Sequence, residues 1–322
     1  MLRAPRRPGA SLTQAGRVLV TGANGHLGRR LLVRLARRRP ARAVVRSGRA
    51  ARVLAEDVDV ETRVLDYADA PALAEAAQDC THAVHLVGII KEGAGSSYQR
   101  AHEDATRALV QAAEAAGLQR IVYMSILGSS PGASNPCLAS KGRAEAMLLA
   151  AKTPALVLRV PMVLGEGDFA SQALRSQAMA PVVFQTRGGA SLEQPIYAGD
   201  VVEALIAGIT LPGLDDVSLD LAGPESLSHR QLVARAAALL GRSPRAIPLP
   251  LSLVKSAAGL MERVSKNPPL TRAMLGVLDH DDDVDTRDSC RRLGLELTAL
   301  DETLKLCVGA ESVGGSGGPE NP

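Results

Sequence analysis

The chain has almost no aromatic residues: Phe, Tyr and Trp together make up 2% of 322 residues, and Trp is absent. It therefore has no stacking surface for single-stranded nucleic acid. No basic patch with a DNA-binding motif accompanies this lack, so nucleic acid is not an expected partner. The four cysteines, Cys80, Cys137, Cys290 and Cys307, lie far apart and form no C-x-x-C pair. That argues against a zinc site or a disulfide framework and fits a reducing compartment. No apolar run reaches the length of a bilayer span. Neither charge dominates, since the net charge is only +3. There is no G-x-S-x-G elbow and no H-E-x-x-H pair. The acidic run Asp279–Asp285 invites a calcium reading, but a loop starting at Asp281 would need Gly and Glu where Thr286 and Arg292 stand. A solvated loop with no metal is expected there.

These absences point to the cytoplasm, with a peripheral position at the inner face of a membrane as a further option. Met1–Gly16 carries Arg3, Arg6 and Arg7 without an acid, as a mitochondrial presequence would. Pro5 and Pro8 break any amphipathic helix, so a disordered basic arm is favoured over a matrix signal.

What is present is organised around Arg17-Val18-Leu19-Val20-Thr21-Gly22-Ala23-Asn24-Gly25-His26-Leu27-Gly28. An apolar strand runs into a glycine-rich turn, and Leu27, Leu31, Leu32 and Leu35 then recur at helical spacing. Gly22 permits a sharp exit from the strand, Gly25 lets backbone approach a pyrophosphate, and Gly28 lets helix and sheet pack closely. The helix N-terminus offers free N–H groups to the phosphates. Further strands are expected at Ala41–Arg46, Val60–Leu65, His82–Gly88, Gln119–Ser125 and Ala155–Val160. Helices are expected at Pro71–Gln78, Tyr98–Ala116 and Cys137–Ala151. The alternation predicts an α/β fold with a doubly wound parallel, Rossmann-like sheet. Ligands of such sheets bind at the strand carboxyl ends. Gly22–Gly28, Arg46, Asp66, Leu86–Gly88, Ser125 and Pro161–Val163 all fall there.

The second strand ends in Arg46-Ser47, where NAD sites place an acid. An arginine suits a 2′-phosphate, so NADP(H) is favoured over NAD(H). The alternative is a solvated loop arginine. Asp66, followed by Tyr67, could accept from an adenine amine; helix capping by Asp66 or Asp69 is the competing reading. Beyond Pro161 the alternation weakens. Gly165–Ser191 reads as irregular, and helices are expected at Asp200–Ile209, Ser228–Leu240 (Ser228 as N-cap) and Leu251–Val264, with a strand at Val217–Leu221. The Leu251–Lys266 helix suits packing on a lid, or lying on a membrane surface. The expected division is a basic arm (1–16), an NAD(P)-binding domain (17–164), an interleaved smaller C-terminal substrate or lid region (165–308), and a disordered Gly/Pro/Ser tail (309–322).

Several segments resemble the extended or atypical short-chain dehydrogenases/reductases. They are Thr21–Gly28, His85-Leu86-Val87-Gly88, Tyr123-Met124-Ser125, Leu158–Gly165 and Ile196–Val201. Ile247–Ala258, Pro268–Leu278 and Leu293–Thr303 are similar to the branch containing the nucleotide-binding accessory subunit of respiratory complex I and its bacterial relatives. The resemblance implies a cofactor cradle of Gly22, Ala23, Asn24, Gly25, His26, Leu27, Gly28, Arg46, Asp66, Tyr67, Leu86, Val87, Gly88, Lys141, Pro161 and Val163. It implies Ser125 as the substrate-oxygen contact and Lys141 as the lysine that holds the nicotinamide ribose. The family's general acid/base is a tyrosine, and its position holds Cys137, in Pro136-Cys137-Leu138-Ala139-Ser140-Lys141. The short thiol stops well short of where a phenol oxygen would stand, and proton transfer needs heavy atoms within about 3 Å. The resemblance thus implies a dinucleotide-holding protein of low activity, redox-sensing or linked to a quinone, complex I or a membrane-associated partner. The alternative is an active reductase or epimerase acting on a hydrophobic carbonyl or a nucleotide sugar.

Overall fold

The computed structural model describes residues 16–93, 95–265, 271–278 and 281–309. Nearly all of the basic arm and of the Gly/Pro/Ser tail, the stretch Lys266–Pro269, and Asp279 and His280 lie outside the described residues.

Thirteen strands run along these residues. The first six are β1 (Arg17–Thr21), β2 (Ala41–Val45), β3 (Glu61–Val64), β4 (Cys80–His85), β5 (Arg120–Ile126) and β6 (Ala155–Val160). Then come β7 (Val163–Leu164), β8 (Val182–Thr186), β9 (Leu192–Glu193), β10 (Ile196–Tyr197), β11 (Val217–Asp220), β12 (Leu227–Ser228) and β13 (Arg245–Leu249). The helices of the first half are α1 (His26–Leu35), α2 (Gly48–Asp57), α3 (Ala70–Ala76), α4 (Ala105–Ala116) and α5 (Pro136–Leu149). Those of the second half are α6 (Phe169–Met179), α7 (Ala198–Thr210), α8 (His229–Leu239), α9 (Leu251–Val264), α10 (Arg272–Leu278), α11 (Arg287–Leu293) and α12 (Leu300–Leu304).

The central sheet has seven strands in the order β11-β6-β5-β4-β1-β2-β3. Every pairing in it is parallel. Both faces are covered, so the central strands read as near-continuous apolar runs. Val18 and Val20 face one way, with Leu31, Leu32 and Leu35 of α1 and Val201, Leu205 and Ile209 of α7. Leu19 faces the other way, with Leu73 of α3, Leu109 and Ala112 of α4, and Leu148 of α5. The strand order reverses between β1 and β4, which opens a crevice at their carboxyl ends.

A smaller third core joins Leu164 to Leu174 of α6, Leu232 and Ala236 of α8, and Leu300 and Leu304 of α12. It is tied to the first helix of the sheet. Arg30 donates to the Glu166 carbonyl at 2.8 Å and pairs with its carboxylate at 2.6 Å. The Tyr197 hydroxyl donates to the same carboxylate at 2.6 Å.

Most expected elements form within a residue or two of their expected limits. Four differ. Gly165–Ser191 is not irregular: Asp168 caps α6 by accepting from Ser171 N–H at 2.7 Å, and β8 follows. The partner of β8 is β13, some sixty residues downstream, so no local pattern announces the pairing. Helix α2 was not expected; Ser47 caps it through Ala50 N–H at 3.2 Å. The helix expected at Tyr98–Ala116 begins as a wide π-type turn over Gln99–Asp104 before α4 continues to Gly117, whose φ of +68° ends it. The fourth strand ends at His85, and the chain leaves the sheet at Leu86–Gly88 to form part of the crevice wall.

Candidate functional site

The glycine turn has the shape a dinucleotide requires. Gly22 has φ +71°, and a Cβ there would come within 3.0 Å of the backbone of Leu86 and Val87. A Cβ on Gly28 would sit 2.6 Å from the carbonyl oxygens of Gly22 and Ala23. The α1 N-cap is Gly25, and no side chain caps the helix there. The first-turn N–H groups are therefore left to an anion. The buried Tyr67 hydroxyl accepts from Gly22 N–H at 3.2 Å and donates to Val44 O at 3.2 Å, fixing the turn against β2. Burial pushes the Tyr67 phenol up to about 12, so it remains a donor. The fit to a dinucleotide pyrophosphate is good.

The other cofactor candidates surround this turn. Ala23 is buried, Asn24 and His26 are exposed, and Leu27 packs on the main core. Burial, and then the Arg30 charge, hold the His26 imidazole below its usual value. Arg46 is exposed at the end of β2, directly before the α2 cap. Asp66 accepts from Ala68 N–H at 3.0 Å and is paired with Arg100. The Ala68 hydrogen bond first, then Arg100 and Arg46, hold its carboxyl below the usual range. Asp69 is the cap of α3.

Ser125 and Lys141 come from different elements and line the same cavity. Ser125 is buried at the end of β5, with its hydroxyl 3.4 Å from that of Ser129. Asn135 caps α5 by accepting from Cys137 N–H at 2.9 Å, and Pro136 starts the helix. Cys137 and Lys141 then stand one turn apart on one face. Lys141 is 4% exposed; its Nζ donates to Met124 O at 2.9 Å and lies 4.7 Å from the centre of the Tyr123 ring. Burial pushes this ammonium down to about 8. The Gly88 backbone lies against it, such that a Cβ there would be 3.0 Å from Nζ. Cys137 is fully buried, and its Sγ lies 3.5 Å from Ile89 O. Burial pushes the thiol up to about 11. Unlike Ser125 and Lys141, it is not among the cavity walls.

The cavity has a volume of about 900 Å³. Leu86, Gly88, Pro161 and Val163 contribute from the strand tips, whereas Gly22–Gly28, Arg46, Asp66, Tyr67 and the buried Val87 do not reach it. The candidates thus fall into a phosphate end and a chamber end. Phe184, Leu251, Leu275 and Val277 close the chamber from the C-terminal region.

Comparison with known proteins is consistent with this geometry. Residues 22–178 match a family model described as NAD(P)H-binding. The chain is 30% identical over 256 residues to a Caulobacter vibrioides protein named ceramide reductase, covering 77% of this chain and 78% of that protein. The chain belongs to the atypical short-chain dehydrogenases/reductases. It is also 26% identical to an Arabidopsis thaliana mitochondrial NADH dehydrogenase [ubiquinone] 1 alpha subcomplex subunit 9, over 74% of this chain and 61% of that subunit. In fold it is similar to an Escherichia coli NADPH-dependent quinone oxidoreductase solved with NADPH, with a TM-score of 0.70 at 23% identity, covering 89% and 98% of the two chains.

Within this dehydrogenase/reductase, three further groups stand around the site; of these, sequence reasoning passed over His102 and the Glu193–His229 pair. His102 is fully buried near Lys141; its Nε2 accepts from Ile89 N–H at 3.1 Å, and burial, then Lys141, push it down to about 3. His85 is likewise held neutral at about 3 by burial and then Lys141, with Thr21 Oγ1 at 2.6 Å. Both imidazoles near the buried Lys141 ammonium are therefore neutral. The third group is a pair, Glu193 and His229, in the chamber wall. No local motif marks it, because its members lie 36 residues apart. Among the described residues no cluster could hold a metal, and no helix is long and apolar enough to cross a membrane.

Proposed function

We propose that the protein is an NADP(H)-preferring reductase of a long-chain, largely apolar carbonyl compound. The observation that carries this is the chamber: about 900 Å³ of mostly apolar space ending on Ser125 and Lys141. The part beside Gly88, Lys141 and Pro161 belongs to the cofactor's reacting end, and the space that continues to Phe184, Leu251 and Leu275 suits a further apolar ligand. The name of the Caulobacter relative, ceramide reductase, supports a lipid-like substrate. The NADPH-bound quinone oxidoreductase supports the same cofactor on this fold.

NAD(P)H, when bound, supplies the hydride for the carbonyl carbon. Ser125 Oγ donates a hydrogen bond to the carbonyl oxygen. Lys141, brought near neutrality by burial, gives that oxygen its proton in place of the missing tyrosine, and is reprotonated from water. Gly22–Gly28 hold the pyrophosphate. Arg46 and the start of α2 take the 2′-phosphate, since a helix start and a guanidinium both favour an anion there.

The test is NADPH oxidation by purified protein with a long-chain methyl ketone, and separately with a benzoquinone. Steady oxidation by the ketone, reduced about a hundredfold or more in Lys141→Met, is expected. Tight NADPH binding with no oxidation by either acceptor overturns the reading. It would favour the second one, a cofactor-holding partner of a respiratory or membrane complex, to which the buried, protonated Cys137 thiol and the complex I relatives lend support.

A further inference from the structure

The chamber is not uniformly apolar. Four elements of the C-terminal region bring polar side chains to one part of its wall: Gln177 from α6, Gln185 from β8, Glu193 from β9 and His229 from the start of α8. His229 Nδ1 lies 2.7 Å from Glu193 Oε1, and its Nε2 lies 2.9 Å from Gln177 Oε1. An oxygen thus faces each ring nitrogen, and the imidazole is held between Glu193 and Gln177.

Two acceptors in this patch have no donor among the described residues. Glu193 is 7% exposed and its Oε2 is unpartnered. Gln185 is 3% exposed and its Oε1 is unpartnered as well. The Gln185 oxygen lies against Gly189, which has φ +73° and where any Cβ would come within 2.4 Å of it. Only a glycine leaves room for the oxygen there. Buried acceptors are nearly always satisfied, and two unsatisfied ones in one wall of a ligand chamber call for donors from a ligand.

We propose that this patch recognises the polar head of an amphiphilic substrate, an uncharged head carrying hydroxyl or amide N–H donors. Glu193 Oε2 and Gln185 Oε1 accept from the head, and His229 positions Glu193 through its other oxygen. The apolar chain of the ligand lies along Leu174, Leu232 and Phe184. The inference rests on the reductase reading only in taking this chamber as the substrate site.

The experiment is calorimetric titration of the full chain, saturated with NADPH, using three probes of equal chain length. N-octanoyl serinol has hydroxyl and amide donors, methyl octanoate has none, and octylammonium is a cation. Octanoyl serinol is expected to bind about tenfold or more tightly than the ester, because a site built for donors rejects the analogue that lacks them. Glu193→Gln keeps the shape but replaces the free oxygen with a donor, and Gln185→Met removes the other acceptor. Each should weaken octanoyl serinol by about tenfold and leave the ester unchanged. Should Glu193→Gln fail to fold, Gln185→Met alone decides the matter. Equal binding of octanoyl serinol and ester, an undiminished preference in the variants, or tightest binding of octylammonium would each overturn the proposal. If the preference is present and lost in the variants while no ketone is reduced, head recognition stands and the reductase reading falls.

Discussion

The two ends of the cleft treat their polar groups in opposite ways. At the phosphate end the contacts that fix the turn are made within the chain: Gly22 N–H to Tyr67, Tyr67 to Val44, Asp66 to Ala68 and Arg100. The backbone N–H groups at the start of α1 have no side-chain cap and suit an anion. At the chamber end two buried side-chain oxygens have no donor among the described residues. The first arrangement reads a ligand common to many enzymes through main chain, and so depends on glycine. The second reads a particular ligand through side chains, and so can be changed one residue at a time.

The sharpest way to break the phosphate end is Gly28→Val. A Cβ already collides with two carbonyl oxygens at 2.6 Å, and these belong to backbone that cannot swing aside. Nucleotide binding should be lost, and the fold destabilised by several kcal/mol, as expected of overpacking at a rigid contact. Fluorescence titration with NADPH and thermal unfolding check both parts. Val at Gly95, where a Cβ would meet nothing within 4 Å, is a control for strain alone, because its φ is +80°.

Lys141 connects the two ends, and its effect is the next largest. Its folded pKa of about 8 lies below the ordinary 10.5. As a proton donor it works below about pH 8, and the turnover rate should fall as pH rises through that value. Stability changes in the opposite sense. Between pH 8 and 10.5 the unfolded chain binds the proton that the folded chain has released, so the folded state gains stability as pH rises through that window. Below pH 8 both states are protonated and the full cost of burying the ammonium is felt. Lys141→Met should remove both dependences, and a rate profile beside a series of denaturant melts would show it. A profile unchanged in the variant would assign the proton to another group.

A smaller effect is expected from Arg46→Ala. An exposed arginine contacting a 2′-phosphate contributes about tenfold in affinity. NADPH should weaken by that factor and NADH should not change. Equal weakening of both would mean that Arg46 acts on the fold of the turn and not on the phosphate.

The unequal legibility of the two ends has a physical source. Gly22, Gly25 and Gly28 sit in one turn, so their spacing in sequence is their geometry. The parallel sheet follows because its inner strands are buried apolar runs separated by helices. Lys141 was marked by the resemblance of Pro136–Lys141 to the family's tyrosine and lysine segment. By contrast, Gln177, Gln185, Glu193 and His229 come from four elements, and β8 finds its partner β13 only through tertiary pairing. Residues that meet through such pairings carry no local period. The burial of His85 and His102 was equally hidden, since a lone histidine in an apolar strand or a helix looks the same whether it is exposed or sealed.

Asp66 gives the comparison its finest test, because the sequence allows it two roles and the structure already occupies it. One oxygen accepts from Ala68 N–H, and the other is paired with Arg100. Its carboxyl is held below the usual range by these contacts, with Arg46 adding to them. To accept from an adenine amine it would have to share or release Arg100, and an exposed pair of this kind contributes little, about 1 kcal/mol or less. Asp66→Asn keeps an oxygen for Ala68 N–H and loses the charge and the acceptor that faces Arg100. NADPH affinity should therefore change by less than about threefold, and the melting temperature by no more than a few degrees. A tenfold loss for both NADPH and NADH, absent in Arg100→Ala, would instead show Asp66 meeting the adenine directly. The phosphate end would then read its ligand through a side chain as well as through main chain, and the contrast with the chamber would narrow to that one carboxylate.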